Sequence, residues 1–134
     1  MGSIWDELPA PLVEFWTERH LCTLTSLRAD GSPHVVAVGA TLDPAAGLAR
    51  VISSASAAHV RHVRNGQQRV AICQVDGARW TTVEGHATIR DDPESIAEAV
   101  RRYAARYRTP RPNPARVAIE VTITKVLGSS RFTA

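Results

Sequence analysis

Leu24-Thr25-Ser26-Leu27-Arg28-Ala29-Asp30-Gly31-Ser32-Pro33-His34-Val35-Val36 decides the fold. Two apolar runs, Leu21–Leu27 and Pro33–Ala40, flank a polar link from Arg28 to Ser32. Asp-Gly between strand-like runs is a strong hairpin signal, because the glycine can take the turn geometry that other residues resist. Working outward, a second turn at Asp43-Pro44-Ala45-Ala46-Gly47 leads into Leu48–Ser53, so three consecutive antiparallel strands are expected.

Beyond them the period changes. Over Ser54–Asn65, Val60 and Val63 share one helical face, Arg61 and Arg64 another, and His59 and His62 lie between. Ser54 and Ser56 are possible caps, and Gly66 a stop. Arg69–Val75 and Trp80–Arg90 then read as strands about an Asp76-Gly77 turn. Thr81, Val83, Gly85, Ala87 and Ile89 take one face of the second strand; Glu84, His86, Thr88 and Arg90 take the other. Asp91-Asp92-Pro93 opens the longest helix, to about Tyr107.

The prolines of Thr109-Pro110-Arg111-Pro112-Asn113-Pro114 delete backbone donors and exclude regular structure there. After them Val117, Ile119, Val121 and Ile123 alternate with polar or small residues, as in a half-buried strand. At the other end, Leu12, Val13, Phe15 and Trp16 recur at helical spacing behind Pro9 and Pro11, predicting a helix that ends near His20. The 134 residues thus form one domain (1–134), mainly β with flanking helices: six antiparallel strands and three helices. Closure into a barrel removes exposed edges. With no βαβ alternation and no glycine-rich phosphate loop, a Rossmann fold is disfavoured.

Composition narrows the function. At 44% hydrophobic and 22% charged, the chain falls in the ordinary globular class. No run of some 18 apolar residues is present to span a membrane, and no basic-then-apolar leader is seen, so the cytoplasm is expected. Cys22 and Cys73 stand alone, which argues against a disulfide framework or zinc site. Lys125 is the one lysine among 16 basic residues. The arginines gather at 61, 64 and 69 and again from 101 to 116, which points to an anionic ligand. Nucleic acid is not expected, since no reading motif accompanies the charge.

The hairpin motif, followed by Val60-Arg61-His62-Val63-Arg64-Asn65 and then Arg69-Val70-Ala71, resembles the flavin/deazaflavin oxidoreductases with the split β-barrel of pyridoxamine 5′-phosphate oxidase (the FMN-binding split barrel). Cys73-Gln74-Val75-Asp76-Gly77-Ala78-Arg79-Trp80 and Arg106-Tyr107-Arg108-Thr109-Pro110-Arg111-Pro112-Asn113-Pro114 look like its actinobacterial branch that uses coenzyme F420, most closely the biliverdin reductases. The resemblance implies a homodimer with the cofactor at the dimer interface and a small-molecule substrate.

It also implies a site. Pro33, His34, Val35, Val36, Ala37 and Val38 would line the groove and offer backbone groups to the ring. Ile52, Ser53, Ala58 and His59, with Arg61 and Arg64, would cradle the phosphate; His59 stands where the family usually has a lysine. Gly77, Ala78, Arg79 and Trp80 would approach the cofactor, from the same chain or its partner. Arg79, Arg108 and Arg111 would meet substrate carboxylates. No catalytic side chain and no metal ligand is assigned; His59 and His62 lack a third ligand. The expected reaction is hydride transfer from reduced F420 to a conjugated acceptor such as biliverdin. The alternatives are an FMN-dependent oxidase or reductase and a non-catalytic flavin- or tetrapyrrole-binding protein.

Overall fold

A computed structural model describes residues 8–133. It contains α1 (Ala10–Phe15), β1 (Cys22–Leu27), β2 (Pro33–Val38), β3 (Ala40–Asp43), β4 (Leu48–Ser54), α2 (Ala58–Arg64), β5 (Arg69–Asp76), β6 (Arg79–Arg90), α3 (Pro93–Arg106), β7 (Arg116–Gly128) and α4 (Ser130–Thr133). The β1–β2 hairpin closes as expected. The Arg28 N–H donates to the Ser32 carbonyl at 2.9 Å, and the Asp30 carboxylate accepts from the Ser32 N–H and hydroxyl.

All seven strands form one antiparallel sheet in the order β2-β1-β5-β6-β7-β4-β3. Six were expected, and the difference lies at Gly39. The run 33–40 breaks there, and Ala40–Asp43 forms a strand of its own paired with β4. The expected meander of three consecutive strands is likewise corrected: β2 pairs only with β1, whereas β4 lies between β3 and β7. The two sheet edges, β2 and β3, are separated in sequence by Gly39 alone. Consecutive Cα atoms are about 3.8 Å apart, so the sheet must curl until its edges meet. That is the split barrel.

Gly39 permits the junction. A Cβ there would lie 2.6 Å from Tyr103 Cε2 and 3.1 Å from Tyr107 Cε2, so the chain turns directly against the two rings on and beside α3.

The inward faces pack Leu24, Val51, Val70, Ile72, Val83, Ala87, Ile119 and Val121. Phe15 of α1 and its C-cap Trp16 close the end where β1 begins; Val60 and Val63 of α2 close the end where it finishes. α1 stops at Phe15, short of the expected His20. The Phe15 carbonyl, which the next turn would need, instead accepts from Gln74 Nε2 at 2.8 Å. α2 has Ala57 at its N-cap with no side-chain bond; of the two expected caps, Ser54 instead accepts from Asn113 Nδ2 at 2.8 Å. α3 is capped by Asp92, which accepts from the Ser95 N–H at 3.0 Å, and it packs across β3, β4 and β7. Ala118 is therefore buried as well as its inward neighbours, which makes β7 more deeply covered than a half-buried strand.

Candidate cofactor and substrate site

β2 decides what the site can be. It is an edge strand, and all six of its residues face β1 in register, from Leu27↔Pro33 to Cys22↔Val38. The backbone groups that point away from β1 meet no other strand among the described residues. Pro33, Val35 and Ala37 are exposed, whereas His34, Val36 and Val38 turn inward and are half-buried. An extended strand with one free row of N–H and C=O groups and small or branched exposed side chains suits a flat polar ring.

At the start of β2 three imidazoles meet. His34 and His62 stand edge to face with ring centroids 5.1 Å apart. His62 Nδ1 lies 2.9 Å from Ser26 Oγ, and His59 Nε2 lies 2.8 Å from Ser53 Oγ. His34 Nδ1 is buried without a partner. Burial, then the neighbouring His34 and His62, hold His59 below its ordinary value. Burial, then His34, Arg28 and Arg61, do the same to His62. No carboxylate contributes to either shift, so His59 and His62 are held neutral and the positive charge beside them comes from Arg28 and Arg61.

Most arginines are already engaged, which limits the charge argument made from sequence. Arg50 and Arg102 share Asp43 at 2.8 and 3.1 Å. Arg101 and Arg102 bind Glu98, Arg90 binds Glu120, and Arg64 lies 3.6 Å from Asp91. Arg106 is 9% exposed and belongs to the core. It donates to Glu18 O, Ala40 O and Gln74 Oε1. Among the described residues, Arg19, Arg61, Arg69, Arg108 and Arg111 have side chains with no hydrogen-bonded or acidic partner.

The structure therefore brings Ser53, His59 and Arg61 together with His34 at one end of β2. Ile52 and Ala58 are half-buried beside them, and Arg64 is turned toward Asp91. Gly77, Ala78, Arg79 and Trp80 lie at the other end, on the β5–β6 turn. There Arg79 binds both Glu18 oxygens at 3.0–3.2 Å and also Asp76, and it lies over the Phe15 ring. These bonds hold Glu18 down at about 2. Glu18, His20 and Asp76 form a close group that could chelate, but the Arg79 guanidinium is bound to both of its carboxylates. Arg111 sits on the proline loop that Asn113 ties to Ser54, near α2. Arg108 stands at the opposite end, beside Tyr107 and Arg19.

Sequence reasoning missed two features. A groove of about 370 Å³ crosses the outer face of the sheet, with Arg69, Glu84 and His86 among its walls. No single strand betrays it, because the walls come from four strands. A pocket beside Gly39 is lined by Arg19, Leu21, Tyr103, Tyr107 and Arg108; its tyrosines look like ordinary helix residues in sequence.

Comparisons with known proteins establish the family and the fold. The chain is 55% identical over 117 residues to an F420H2-dependent biliverdin reductase of Mycobacterium tuberculosis, covering 87% of this chain and 84% of that protein. A conserved hypothetical protein of the same species has the same fold, with a TM-score of 0.77 at 21% identity over 96% of this chain and 85% of that one. So does a structure described as an F420 reductase, with a TM-score of 0.70 at 24% identity over 85% and 94%. Residues 8–130 match the family described as pyridoxamine 5′-phosphate oxidase, and with nearly the whole chain matched, this protein belongs to that family.

Proposed function

We propose that this protein is an F420-dependent reductase acting on a conjugated acceptor of the biliverdin type. The observation that carries the reading is the 55% identity to a reductase of that name, and the free edge of β2 is what supports it structurally. Fold alone would not choose, since this barrel serves many chemistries.

The residues present fit the cofactor. The unpaired backbone row of Pro33–Val38 would hold the ring plane and accept or donate at its polar rim. Ser53, His59 and Arg61 would take the phosphate, helped by Ser53's hydroxyl and by imidazoles that have no acid of their own. When bound, reduced F420 supplies a hydride to an electrophilic carbon of the acceptor. The chain's part is to fix both planes at contact distance and to exclude water. Solvent delivers the proton that completes the reduction, and no side chain is assigned as the acid.

The same reading makes the protein a homodimer with the cofactor in the groove between barrels. The outer face of β2-β1-β5-β6 is uncovered by any described helix. It exposes Leu21 at 69%, Val35 at 57%, Val75 at 63% and Trp80 at 38%, a cluster of large apolar side chains of the kind that marks an interface. A second copy would bury this face and bring its own residues to β2.

Fluorescence titration of apo-protein with F420 and, separately, with FMN tests the assignment. Saturable F420 binding clearly tighter than FMN binding supports it. Preference for FMN would move the protein to the flavin branch of the same fold, and binding to neither would overturn the redox reading.

A further inference from the structure

β2 has two ends, and they differ in chemistry. The start carries His34 against α2, where the phosphate would lie. The finish runs through Gly39 onto the rings of Tyr103 and Tyr107, which lie 5.0 Å apart and tilted by 33°. Five steps of about 3.3 Å from Pro33 to Val38 separate the ends by about 17 Å. With the phosphate held at α2, as that reading of β2 has it, the ring of the cofactor would extend toward Gly39.

Just beyond Gly39 lies the pocket of about 470 Å³ lined by Arg19, Leu21, Tyr103, Tyr107 and Arg108. This is within the usual size of a small-molecule site. It brings together two of the five arginines that have no partner among the described residues. Arg50, Arg64, Arg79, Arg90, Arg101 and Arg102 all have acidic partners, and Arg106 has four oxygen acceptors, all neutral. Arg19 and Arg108 are exposed and have none among the described residues. Tyr107 is held in place by its hydroxyl, which donates to His20 O at 2.6 Å and accepts from the Ala40 N–H at 3.2 Å. Two adjacent rings, one of them tethered, and an exposed leucine offer apolar area for a flat molecule, and two uncompensated guanidiniums offer bidentate pairing to carboxylates.

We propose that this pocket is the acceptor site, built for a planar conjugated molecule that carries carboxylates. A linear tetrapyrrole fits that description, with its rings against Tyr103, Tyr107 and Leu21 and its two propionates on Arg19 and Arg108. The inference rests on the reading of β2 as the cofactor strand and places the acceptor at its Gly39 end. It also revises the substrate arginines expected from sequence. Arg79 is neutralised by Glu18 and Asp76, and Arg111 lies on the part of the loop tied toward α2. Arg108 stays, and Arg19 joins it.

The test is equilibrium binding of biliverdin and of biliverdin dimethyl ester to wild type, R19A, R108A, R19A/R108A and R19K/R108K, with F420 affinity measured on each protein. Because both arginines are exposed, circular dichroism should show every variant folded. Each single alanine should weaken biliverdin binding about tenfold, the loss of one charge-assisted pair, and the double by about fiftyfold or more. The lysine pair should recover part of that loss. The ester should bind wild type as weakly as the diacid binds the double variant. F420 affinity should stay within about twofold throughout. Unchanged biliverdin affinity in the double variant, or no binding of biliverdin to wild type, overturns the proposal. Loss of F420 affinity with biliverdin unaffected also overturns it, assigning the pocket to the acidic tail of the cofactor. If wild type binds neither F420 nor FMN while the arginine dependence of biliverdin binding persists, the cofactor reading fails and the pocket stands.

Discussion

The Arg106 guanidinium at the end of α3 donates to the carbonyl of Ala40, the first residue of β3, at 2.6 Å. The same side chain reaches Glu18 O at 2.8 Å and Gln74 Oε1 at 2.6 Å. It therefore ties α3, the link after α1, β5 and the edge junction after Gly39 into one network. No carboxylate is involved: the cation is solvated by neutral dipoles and by the nearby rings of Trp16 and Tyr107.

Arg106→Ala should accordingly be among the most damaging substitutions in the chain. It strands buried carbonyls as well as removing a cation, and a loss of about 3–5 kcal/mol is expected. Arg106→Lys keeps the charge but cannot serve four acceptors in a fixed fork, so it should recover only part. Urea unfolding of the three proteins checks this. Equal stability of wild type and Arg106→Ala would return Arg106 to the anion-binding group suggested by its sequence neighbours.

A second prediction concerns the β6–β7 ladder, whose register shifts between Glu84 and Gly85. A Cβ on Gly85 would lie 2.0 Å from the Thr122 carbonyl oxygen. The obstacle is backbone in the middle of the sheet, so it cannot swing aside. Gly85→Ala should cost about 3 kcal/mol or more, or prevent folding. Thr88→Ala, on the exposed face of the same strand, should change stability by less than about 0.5 kcal/mol. Thermal melting of the pair separates backbone clash from general sensitivity of the strand.

Much of this architecture was legible because it is written locally. Asp30-Gly31 and Asp76-Gly77 place two hairpins, alternation gives the faces of β6 and β7, and Asp92 marks the start of α3. The break at Gly39 was not legible, since Ala37-Val38-Gly39-Ala40 reads as one apolar run until Tyr103 and Tyr107 arrive from 64 or more positions away. The role of Arg106 was hidden for the same reason: its acceptors are main-chain oxygens and an amide that only the fold assembles. The expectation for β2 came from a motif, and Tyr107 and Arg108 lie in another, but their meeting with Arg19, Leu21 and Tyr103 is a juxtaposition that only the fold makes.

The histidine cluster predicts a pH dependence of stability. His59 and His62 are both depressed below 6.5 in the folded protein. The unfolded chain binds protons near 6.5, where the folded state still resists them. Stability should therefore fall as pH drops through 6.5 toward the depressed native values, and should be insensitive to these groups above it. Glu18 and Glu98, held at about 2 by their arginines, titrate well below this window. Denaturant unfolding at pH 7.5, 6.5 and 5.5 should show the decline in wild type and a shallower one in His59→Gln/His62→Gln. Parallel slopes would mean that the imidazoles are not desolvated as the geometry implies.

The phosphate end of the site separates two neighbouring arginines. Arg61 is exposed and has no acidic partner, whereas Arg64 lies 3.6 Å from Asp91. Arg61→Ala should weaken F420 binding by about tenfold, one charge-assisted contact. Arg64→Ala should change it by less than about twofold, because that charge is already balanced and turned toward α3. Titrations at low and moderate salt check the assignment: the Arg61 effect should shrink as ionic strength rises. Equal losses for both variants would place the phosphate across the whole basic face of α2.

The uncovered sheet face makes the last prediction. Val35 on β2, opposite Thr25 of β1, and Val75 on β5, two residues beyond Cys73 (the partner of Thr23), point to the same side, and both are more than half exposed. If a second copy covers this face, a charge at either position must be desolvated in the dimer but costs almost nothing in a monomer. Val35→Asp/Val75→Asp should therefore give a folded monomer in analytical ultracentrifugation at concentrations where wild type is dimeric. The variant should keep most of its secondary structure by circular dichroism, because neither valine touches the core. It should also lose F420 affinity, since the groove would lack its second wall. A dimer that survives both substitutions would show that the copies meet elsewhere, and a monomeric wild type would leave β2 to bind its ligand unaided.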